Sequence, residues 1–242
     1  GSQFLQQGVP GTDYILQEGK PVGIVMGYKT DGKGFYTTDD FNYDASTGMY
    51  TLKEGIADLA SSFVSYHGGL VPDGQYAYPG LPKFKDTDGS GIIDEQDYVE
   101  IGNMNPKHTG GFNINVNYKH FDLGMYFNWS YGNDIYNANK LATLYNNEKG
   151  GGLYGNKLAI VNDSYKLYEM QNGNLVRLTT PDQLNAANAK ATWPLTYLKQ
   201  GYVSDVGIED GSYLRLNTLT LGYTFSDNLI SKLKMSNLRV YG

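Results

Sequence analysis

Cysteine is absent from the 242-residue chain, so the sequence offers no disulfide framework, no thiol nucleophile and no thiolate ligand for a metal ion. Histidine is scarce: His67, His108 and His120 form no closely spaced pair, which argues against a zinc site. The chain also lacks the G-x-x-x-x-G-K-[ST] and G-x-S-x-G patterns of phosphate binding and serine catalysis. We therefore assign no catalytic residue and do not expect an enzyme.

Excess positive charge and long apolar runs are missing as well. The formal net charge is −6, which argues against a nucleic acid as a partner, because binding to a phosphate backbone needs a basic patch. No stretch of about 18 apolar residues is present, so the sequence predicts no transmembrane helix. The first residues are not typical of a signal peptide.

Glycine and tyrosine are abundant instead, with 31 and 22 residues, and they favour a β-rich chain with long loops. Turn-forming pairs such as Pro10-Gly11 and Asp31-Gly32 crowd the first part of the chain. A second irregular stretch contains two helix-like segments, at residues 134–147 and after Thr180, which is a plausible N-cap for Pro181. We predict a loop-rich segment with short strands over residues 1–109 and a long loop with short helices over residues 132–211.

Strict alternation marks residues 110–131, which we predict to be a β-hairpin. One parity of the first arm is apolar and the other is asparagine: Phe112, Ile114, Val116 and Tyr118 against Asn113, Asn115 and Asn117. After Lys119-His120 the apolar parity continues with Phe121, Leu123, Met125, Phe127, Trp129 and Tyr131. A period of two residues is that of a β-strand, so the hairpin has one apolar and one polar face.

A strand pair is predicted over residues 212–242, and its first strand slips in phase. Leu214 and Leu216 share one parity, whereas Leu219 and Leu221 share the other. A β-bulge near Asn217-Thr218 would restore the phase.

Two environments fit the apolar face, a protein core or lipid. A soluble β-sandwich packs such faces inward. A membrane barrel needs strands of about 9–11 residues, short turns on one side, long loops on the other and aromatic residues near the strand ends. Aromatic residues do lie near the strand ends: Tyr118, Phe121, Trp129, Tyr131, Tyr213, Tyr223 and Phe225. The residue pattern by itself leaves sandwich and barrel open.

The acidic stretch DTDGSGIIDEQD, residues 86–97, has the spacing of an EF-hand calcium loop. Its candidate ligands are Asp86, Asp88, Ser90, the backbone carbonyl of Ile92, Asp94 and Asp97. Gly91 stands where such a loop turns sharply, and Ile93 where it is anchored. Asp97 replaces the usual bidentate glutamate, so we predict a Ca²⁺ site with some tolerance of Mg²⁺. The alternative is a solvated acidic turn.

Four segments decide between the two environments, because they resemble the C-terminal barrel portion of SusC/RagA-type TonB-dependent transporters. They are EGKPVGIVMGYKTDG (18–32), KFKDTDGSGIIDEQDYVEIGNMNPKHTGGF (83–112), FNWSYGNDIYNANK (127–140) and EDGSYLRLNTLTLGYTF (209–225). SNLRVYG at 236–242 fits the strand that follows in the family. The loop between about residues 145 and 200 carries little resemblance.

The resemblance implies an all-β fold, as part of a transmembrane antiparallel β-barrel that is 22-stranded in the family and has long extracellular loops carrying short helices. Members of that family occur in Bacteroidetes-type bacteria. They carry oligosaccharides or peptides across the outer membrane with energy delivered by TonB. A SusD-like surface lipoprotein caps the barrel. The implied surroundings are outer-membrane lipid, and TonB would act through an N-terminal part. Because plug, TonB box and last strands are missing from the sequence, we expect a fragment.

Ligand contacts are less constrained by the sequence. Tyr145, Tyr154, Tyr165, Tyr168 and Trp193 lie in the long loops and are candidates for stacking on a solute. The alternative, which we favour for most of the tyrosines, is a role in packing or in an aromatic girdle. The rival functions are a soluble, calcium-stabilised β-sandwich that binds carbohydrate and, more remotely, a fragment of a secreted glycosidase.

Overall fold

Strands dominate the computed structural model, which describes residues 4–7, 13–16, 19–63, 69–144, 157–196 and 202–242. The strands are β1 (Phe4–Gln7), β2 (Asp13–Leu16), β3 (Ile24–Gly27), β4 (Thr30–Phe35), β5 (Phe41–Asp44), β6 (Met49–Leu52), β7 (Asp58–Leu59), β8 (Pro82–Phe84), β9 (Ile92–Ile93), β10 (Val99–Asn103), β11 (His108–Tyr118), β12 (Phe121–Tyr131), β13 (Asp134–Tyr136), β14 (Tyr168–Gln171), β15 (Asn174–Arg177), β16 (Ile208–Asp210), β17 (Tyr213–Thr224) and β18 (Arg239–Tyr241). The α-helices are α1 (Ala138–Leu144), α2 (Pro181–Ala187) and α3 (Asp227–Ile230). None of these described helices has the length and apolar character needed to cross a membrane.

The chain divides into two compact units. The loop-rich unit comprises residues 1–102 and 136–209, and the sheet unit comprises residues 103–135 and 210–242. The loop-rich unit contains the sheet β1-β2-β3-β10 and the small pairs β4-β8, β5-β6, β7-β9 and β14-β15. The sheet unit contains one antiparallel sheet in the order β11-β12-β17-β18.

Tyrosine supplies much of the core of the loop-rich unit. Tyr36 and Tyr50 are fully buried, and each hydroxyl donates to a backbone carbonyl, of Ala57 at 2.7 Å and of Thr179 at 2.8 Å. A buried phenol needs such a partner, because an unpaired polar group is costly away from water. Burial raises the pKa of both phenols well above the usual value. Much of the tyrosine excess therefore serves packing.

Two of the loop aromatic residues are packed in the core, as the alternative to ligand contact predicts. Tyr165 is 5% and Trp193 is 7% exposed, and both belong to the same apolar core. Packing against this core leaves little of either ring for a solute. Tyr168 is exposed on β14, whereas Tyr145 and Tyr154 lie outside the described residues.

Both predicted helices are present, and the start of α2 agrees with its prediction more closely than the start of α1 does. Helix α2 begins as expected, because the Thr180 hydroxyl accepts from the Gln183 N–H at 3.4 Å and Pro181 occupies the first helical position. Helix α1 covers only part of the predicted stretch 134–147. The Asn137 side chain accepts from the Lys140 N–H at 3.0 Å, which places the helix start after Asn137. Residues 145–147 lie outside the described part.

The register of the sheet unit separates most of its side chains by polarity. Phe112 pairs with Phe127, Ile114 with Met125 and Val116 with Leu123 on one face. From β17, Leu219, Leu221 and Tyr223 join this apolar face through their pairing with Met125, Leu123 and Phe121. The opposite face carries Asn113, Asn115, Asn117, Asp122, Thr218 and Thr220. The predicted hairpin with two unlike faces is thus found.

The predicted β-bulge is also found, at Asn217. Tyr126 pairs with Thr218 and the next residue, Phe127, pairs with Leu216, so Asn217 is the extra residue on β17. The bulge brings Leu216 and Leu214 back to the apolar face. It also places Tyr213 on the polar face, where it pairs with Ser130.

The apolar face is open to its surroundings. Across the sheet unit its exposed members are between 38% and 67% exposed, which is far from the dry interior that a β-sandwich requires: Phe112, Ile114, Val116, Tyr118, Phe121, Tyr131, Leu214, Leu216, Leu219, Leu221 and Val240. Soluble proteins rarely leave such a large apolar patch in water. The expectation of a self-contained sandwich is therefore not met by this unit.

Deleting Asn217 should leave the sheet intact. Asn217 is the extra residue, so without it Leu216 directly precedes Thr218 and still pairs with Phe127, and every other side chain of β17 keeps its face. Deleting Leu216 instead brings Asn217 or Arg215 opposite Phe127 on the apolar face and should lower the free energy of unfolding by at least about 1 kcal/mol. Guanidinium unfolding of the intact protein measures both variants. Equal destabilisation by the two deletions would refute the bulge.

Candidate metal centre and polar sheet face

The loop over residues 86–97 is shaped by the first of its acidic residues. The two Asp86 carboxylate oxygens accept from the N–H groups of Gly89 at 2.7 Å and Gly91 at 2.8 Å. Gly89 and Gly91 have φ angles of +76° and +82°, a region that side chains with a Cβ disfavour. The loop therefore curls around Asp86, as its EF-hand-like spacing predicts.

Asp97, the last residue of the loop, holds its two ends together. Its side chain is 0% exposed, and one oxygen accepts from the Thr87 N–H at 2.6 Å and the Thr87 hydroxyl at 3.1 Å. The other oxygen accepts from the Asp94 N–H at 3.0 Å. These bonds fix the carboxylate in place. They also offset the cost of burying its charge, which would be very high without hydrogen-bond partners.

Three of the predicted ligands are brought together. Carboxylate oxygens of Asp86, Asp88 and Asp97 all lie within 4.8 Å of one another. Calcium–oxygen distances of about 2.3–2.6 Å put two ligands on opposite sides of one ion roughly 5 Å apart. The three oxygens therefore fit around a single Ca²⁺. The Asp88 carboxylate accepts from the Ser90 N–H at 2.9 Å, a bond that lowers the pKa of Asp88 and favours its charged form.

The remaining predicted ligands are placed differently. The Ser90 hydroxyl donates to the Ile92 carbonyl at 3.0 Å, so these two oxygens are neighbours on the loop. Asp94 is not one of the three clustered carboxylates, and its assignment as a ligand stays a prediction. Its side chain instead accepts from the Gln96 N–H at 2.7 Å and caps the single 3₁₀ turn Glu95–Asp97. As a cap, the Asp94 carboxylate faces the N–H groups of that turn.

The loop is anchored to the rest of its unit by a short parallel strand pair. Asp58 and Leu59 of β7 pair with Ile92 and Ile93 of β9, and Ile93 is fully buried. The Asp58 carboxylate in turn accepts from the backbone of Tyr76 at 3.1 Å and Ala77 at 2.7 Å. The burial of Ile93 agrees with its predicted role as the anchor of the loop.

A second polar feature lies on the polar face of the sheet unit. Arg239 of β18 makes a two-point ion pair with Asp122 of β12, with Nε 3.1 Å from Oδ1 and the second bond from an NH₂ group. The pair crosses β17 above Gly222, where an added Cβ would lie 2.5 Å from the Asp122 carboxylate. Sequence reasoning missed this pair. In the sequence, the pair is indicated only by one charged residue at a polar position of each strand, Asp122 and Arg239.

Comparison with protein-family models gives no match. Two curated proteins of Formosa agariphila are similar in sequence. TonB-dependent receptor P3 is 27% identical over 230 residues, which cover 94% of this chain and 17% of the receptor. TonB-dependent receptor P39 is 24% identical over 249 residues, covering 93% of this chain and 20% of the receptor.

Two solved structures share the fold. The RagAB peptide transporter matches with a TM-score of 0.55 and 17% identity, covering 96% of this chain and 20% of that one. The RagAB peptide importer in its closed-closed state matches with a TM-score of 0.54 and 18% identity, again over 96% of this chain and 20% of that one. The chain thus spans about a fifth of the length of its relatives. The sequence similarity confirms the predicted resemblance of this chain to part of a TonB-dependent receptor, and the two solved structures share its fold.

Proposed function

We propose that the chain is a section of a TonB-dependent transporter that takes up oligosaccharides or peptides across the bacterial outer membrane. In this proposal the sheet unit is part of the wall of a transmembrane β-barrel, which has 22 strands in the SusC/RagA family. The loop-rich unit lies on the extracellular side. The protein acts by transport and not by catalysis.

The proposal rests on one observation. The strands of the sheet unit have one apolar and one polar face, and their length suits a crossing of the outer membrane. Strands β11 and β12 have 11 residues each, and β17 has 12. At about 3.4 Å per residue, 11 residues reach about 37 Å, and a tilt of about 45° leaves a height of about 26 Å. The apolar band of outer-membrane barrels is about 25 Å tall. The polar face would then border a water-accessible interior.

The partners follow from the same resemblance. RagAB, to whose structures this chain is similar in fold, is named as a peptide importer. We propose a SusD-like surface lipoprotein as the extracellular partner, and TonB as the partner that acts through another part of the full-length transporter. Outer-membrane lipid would cover the apolar face.

We also propose that the loop over residues 86–97 holds one Ca²⁺, with Mg²⁺ as a weaker substitute. Asp86, Asp88 and Asp97 would supply carboxylate oxygens, and the Ser90 hydroxyl and the Ile92 carbonyl, whose oxygens lie 3.0 Å apart, would be further ligands. A bound cation would relieve the repulsion between three clustered carboxylates. Because β9 joins the loop to β7, the ion would clip the loop to its unit.

Calcium binding should depend on the clustered aspartates and not on Asp94. Asp86→Asn removes one anionic ligand and should weaken Ca²⁺ binding at least about tenfold. Asp94→Asn should leave the affinity within about threefold, because asparagine caps a helical turn as well as aspartate does. Isothermal calorimetry of the intact protein with Ca²⁺ and with Mg²⁺ measures both variants.

Two outcomes of the calorimetry would count against the calcium proposal. No heat and no rise in melting temperature on adding Ca²⁺ to the parent would remove the ion altogether. An equal loss of affinity in Asp86→Asn and Asp94→Asn would mean that the cluster of three carboxylates does not form the site.

Uptake should require both a solute and the inner-membrane energy source. Cells that carry the intact transporter and its lipoprotein partner should accumulate a fluorescent oligosaccharide or peptide, and an uncoupler of the proton gradient should abolish the accumulation. Cells without the transporter gene are the control. Accumulation that survives the uncoupler would indicate a passive pore and contradict TonB dependence.

A further inference from the structure

A tryptophan and a histidine are joined by a side-chain hydrogen bond at the open end of the hairpin β11-β12. The indole N–H of Trp129 donates to Nδ1 of His108 at 3.0 Å. On the same face, the His108 ring stacks on its cross-strand partner Tyr131, with the ring centres 5.0 Å apart. Both contacts form within one hairpin, so they do not depend on what lies against the sheet in a longer protein.

The Trp129 ring has a defined place on β11. Trp129 pairs with Gly110, and a Cβ added to Gly110 would overlap the indole ring. The ring centre of Phe112 lies 6.1 Å from that of Trp129. The indole therefore lies over the glycine, with Phe112 on one side along β11 and His108 on the other. In this position its N–H reaches the imidazole.

Only the neutral form of His108 can make this bond. An indole N–H donates and never accepts, so Nδ1 has to offer its lone pair and the ring proton has to reside on Nε2. In the protonated imidazolium both ring nitrogens carry protons and neither accepts. Histidine is the side chain that changes its charge between about pH 5 and 8. The bond is therefore present at the upper end of this range and is lost as the pH falls.

Few groups that carry or can gain a charge lie beside His108 in the described part of the chain. They are Tyr131 on β12 and Lys107, which directly precedes β11. Strand β17 brings Leu214 to this face, and the single charged residue of that strand, Arg215, lies on the polar face. No ion pair among the described residues involves His108, so no carboxylate there holds the ring in its charged form.

The bond lies where the strands of the sheet unit end. The Lys107 N–H donates to the Tyr131 carbonyl at 2.8 Å, which extends the hairpin ladder by one step beyond β11. The Gly132 N–H donates to the Ser212 hydroxyl at 2.9 Å, next to the start of β17. Release of the Trp129 indole would remove a contact that holds this end together. Both backbone N–H groups would then open more often.

We propose that His108 and Trp129 form an acid-sensitive latch at the open end of the hairpin. At neutral pH the uncharged imidazole holds the indole over Gly110. When the pH falls, protonation of His108 breaks the bond, the indole is released and the strand ends open more often. The latch is a regulatory device that goes beyond the proposed transport function, and it does not depend on the identity of the solute.

Fluorine NMR of the intact protein labelled with 5-fluorotryptophan tests the bond. The Trp129 resonance, identified by its loss in Trp129→Phe, should shift in one step between about pH 8 and about pH 5. In His108→Gln, whose amide oxygen accepts at every pH, it should not move. The matched control is His120→Gln, at the turn on the opposite end of the same hairpin, which should keep the shift.

Two outcomes of the fluorine titration would overturn the latch. One is a Trp129 resonance that stays constant in the parent, and the other is a shift that persists in His108→Gln. The parent titration needs no change at His108, so it remains decisive even if His108→Gln does not fold.

Hydrogen exchange tests whether the released indole loosens the strand ends. The exchange rates of the Lys107 and Gly132 N–H groups are compared between the parent and His108→Gln at the same pH, which cancels the intrinsic effect of pH on exchange. The two proteins should exchange alike at about pH 8. At about pH 5 the parent should exchange roughly 2–10 times faster, because a net hydrogen bond is worth about that factor. Equal rates at both pH values would overturn the latch.

Discussion

The alternation of apolar and polar side chains along long, paired strands is the constraint on which the sheet unit depends. Side chains of a β-strand point alternately to the two faces, so a single slip in register would exchange the faces. The bulge at Asn217 keeps β17 in phase with β12 on both sides of the irregularity. The result is a sheet that is apolar on one side and rich in asparagine and threonine on the other. Lipid on one side and water on the other, as in the proposed barrel wall, would satisfy both faces.

The loop-rich unit solves a different physical problem. Its strands are short, and its stability comes from a buried cluster in which tyrosine rings pack and their hydroxyls pair with backbone carbonyls. The acidic loop belongs to this unit and is joined to it through Ile93 and the pairing with β7. A cation there would act as a local clip between carboxylates that otherwise repel each other. The two units of the chain therefore meet different physical constraints.

Much of this could be predicted because local rules decide it. Period-two patterning predicts the hairpin, a change of parity predicts the bulge, and a threonine followed by proline predicts the start of α2. Tertiary context decided the rest. Nothing local distinguishes Tyr165 in the core from Tyr168 on the surface. Loop spacing counts Asp94 as a ligand, but a nearby turn uses its carboxylate as a cap. The pair of Asp122 and Arg239 joins strands far apart in sequence.

Accessibility of spin labels along one strand tests the central claim most directly. The lack of cysteine in these residues allows single labels at Phe121, Leu123 and Met125 on one parity of β12, and at Asp122 and Gly124 on the other. In the intact protein in a lipid bilayer, oxygen, which concentrates in lipid, should relax the first set more strongly. A water-soluble nickel complex should relax the second set. Equal accessibility of both parities, or protection of the odd-numbered positions from oxygen, would contradict an apolar face that meets lipid.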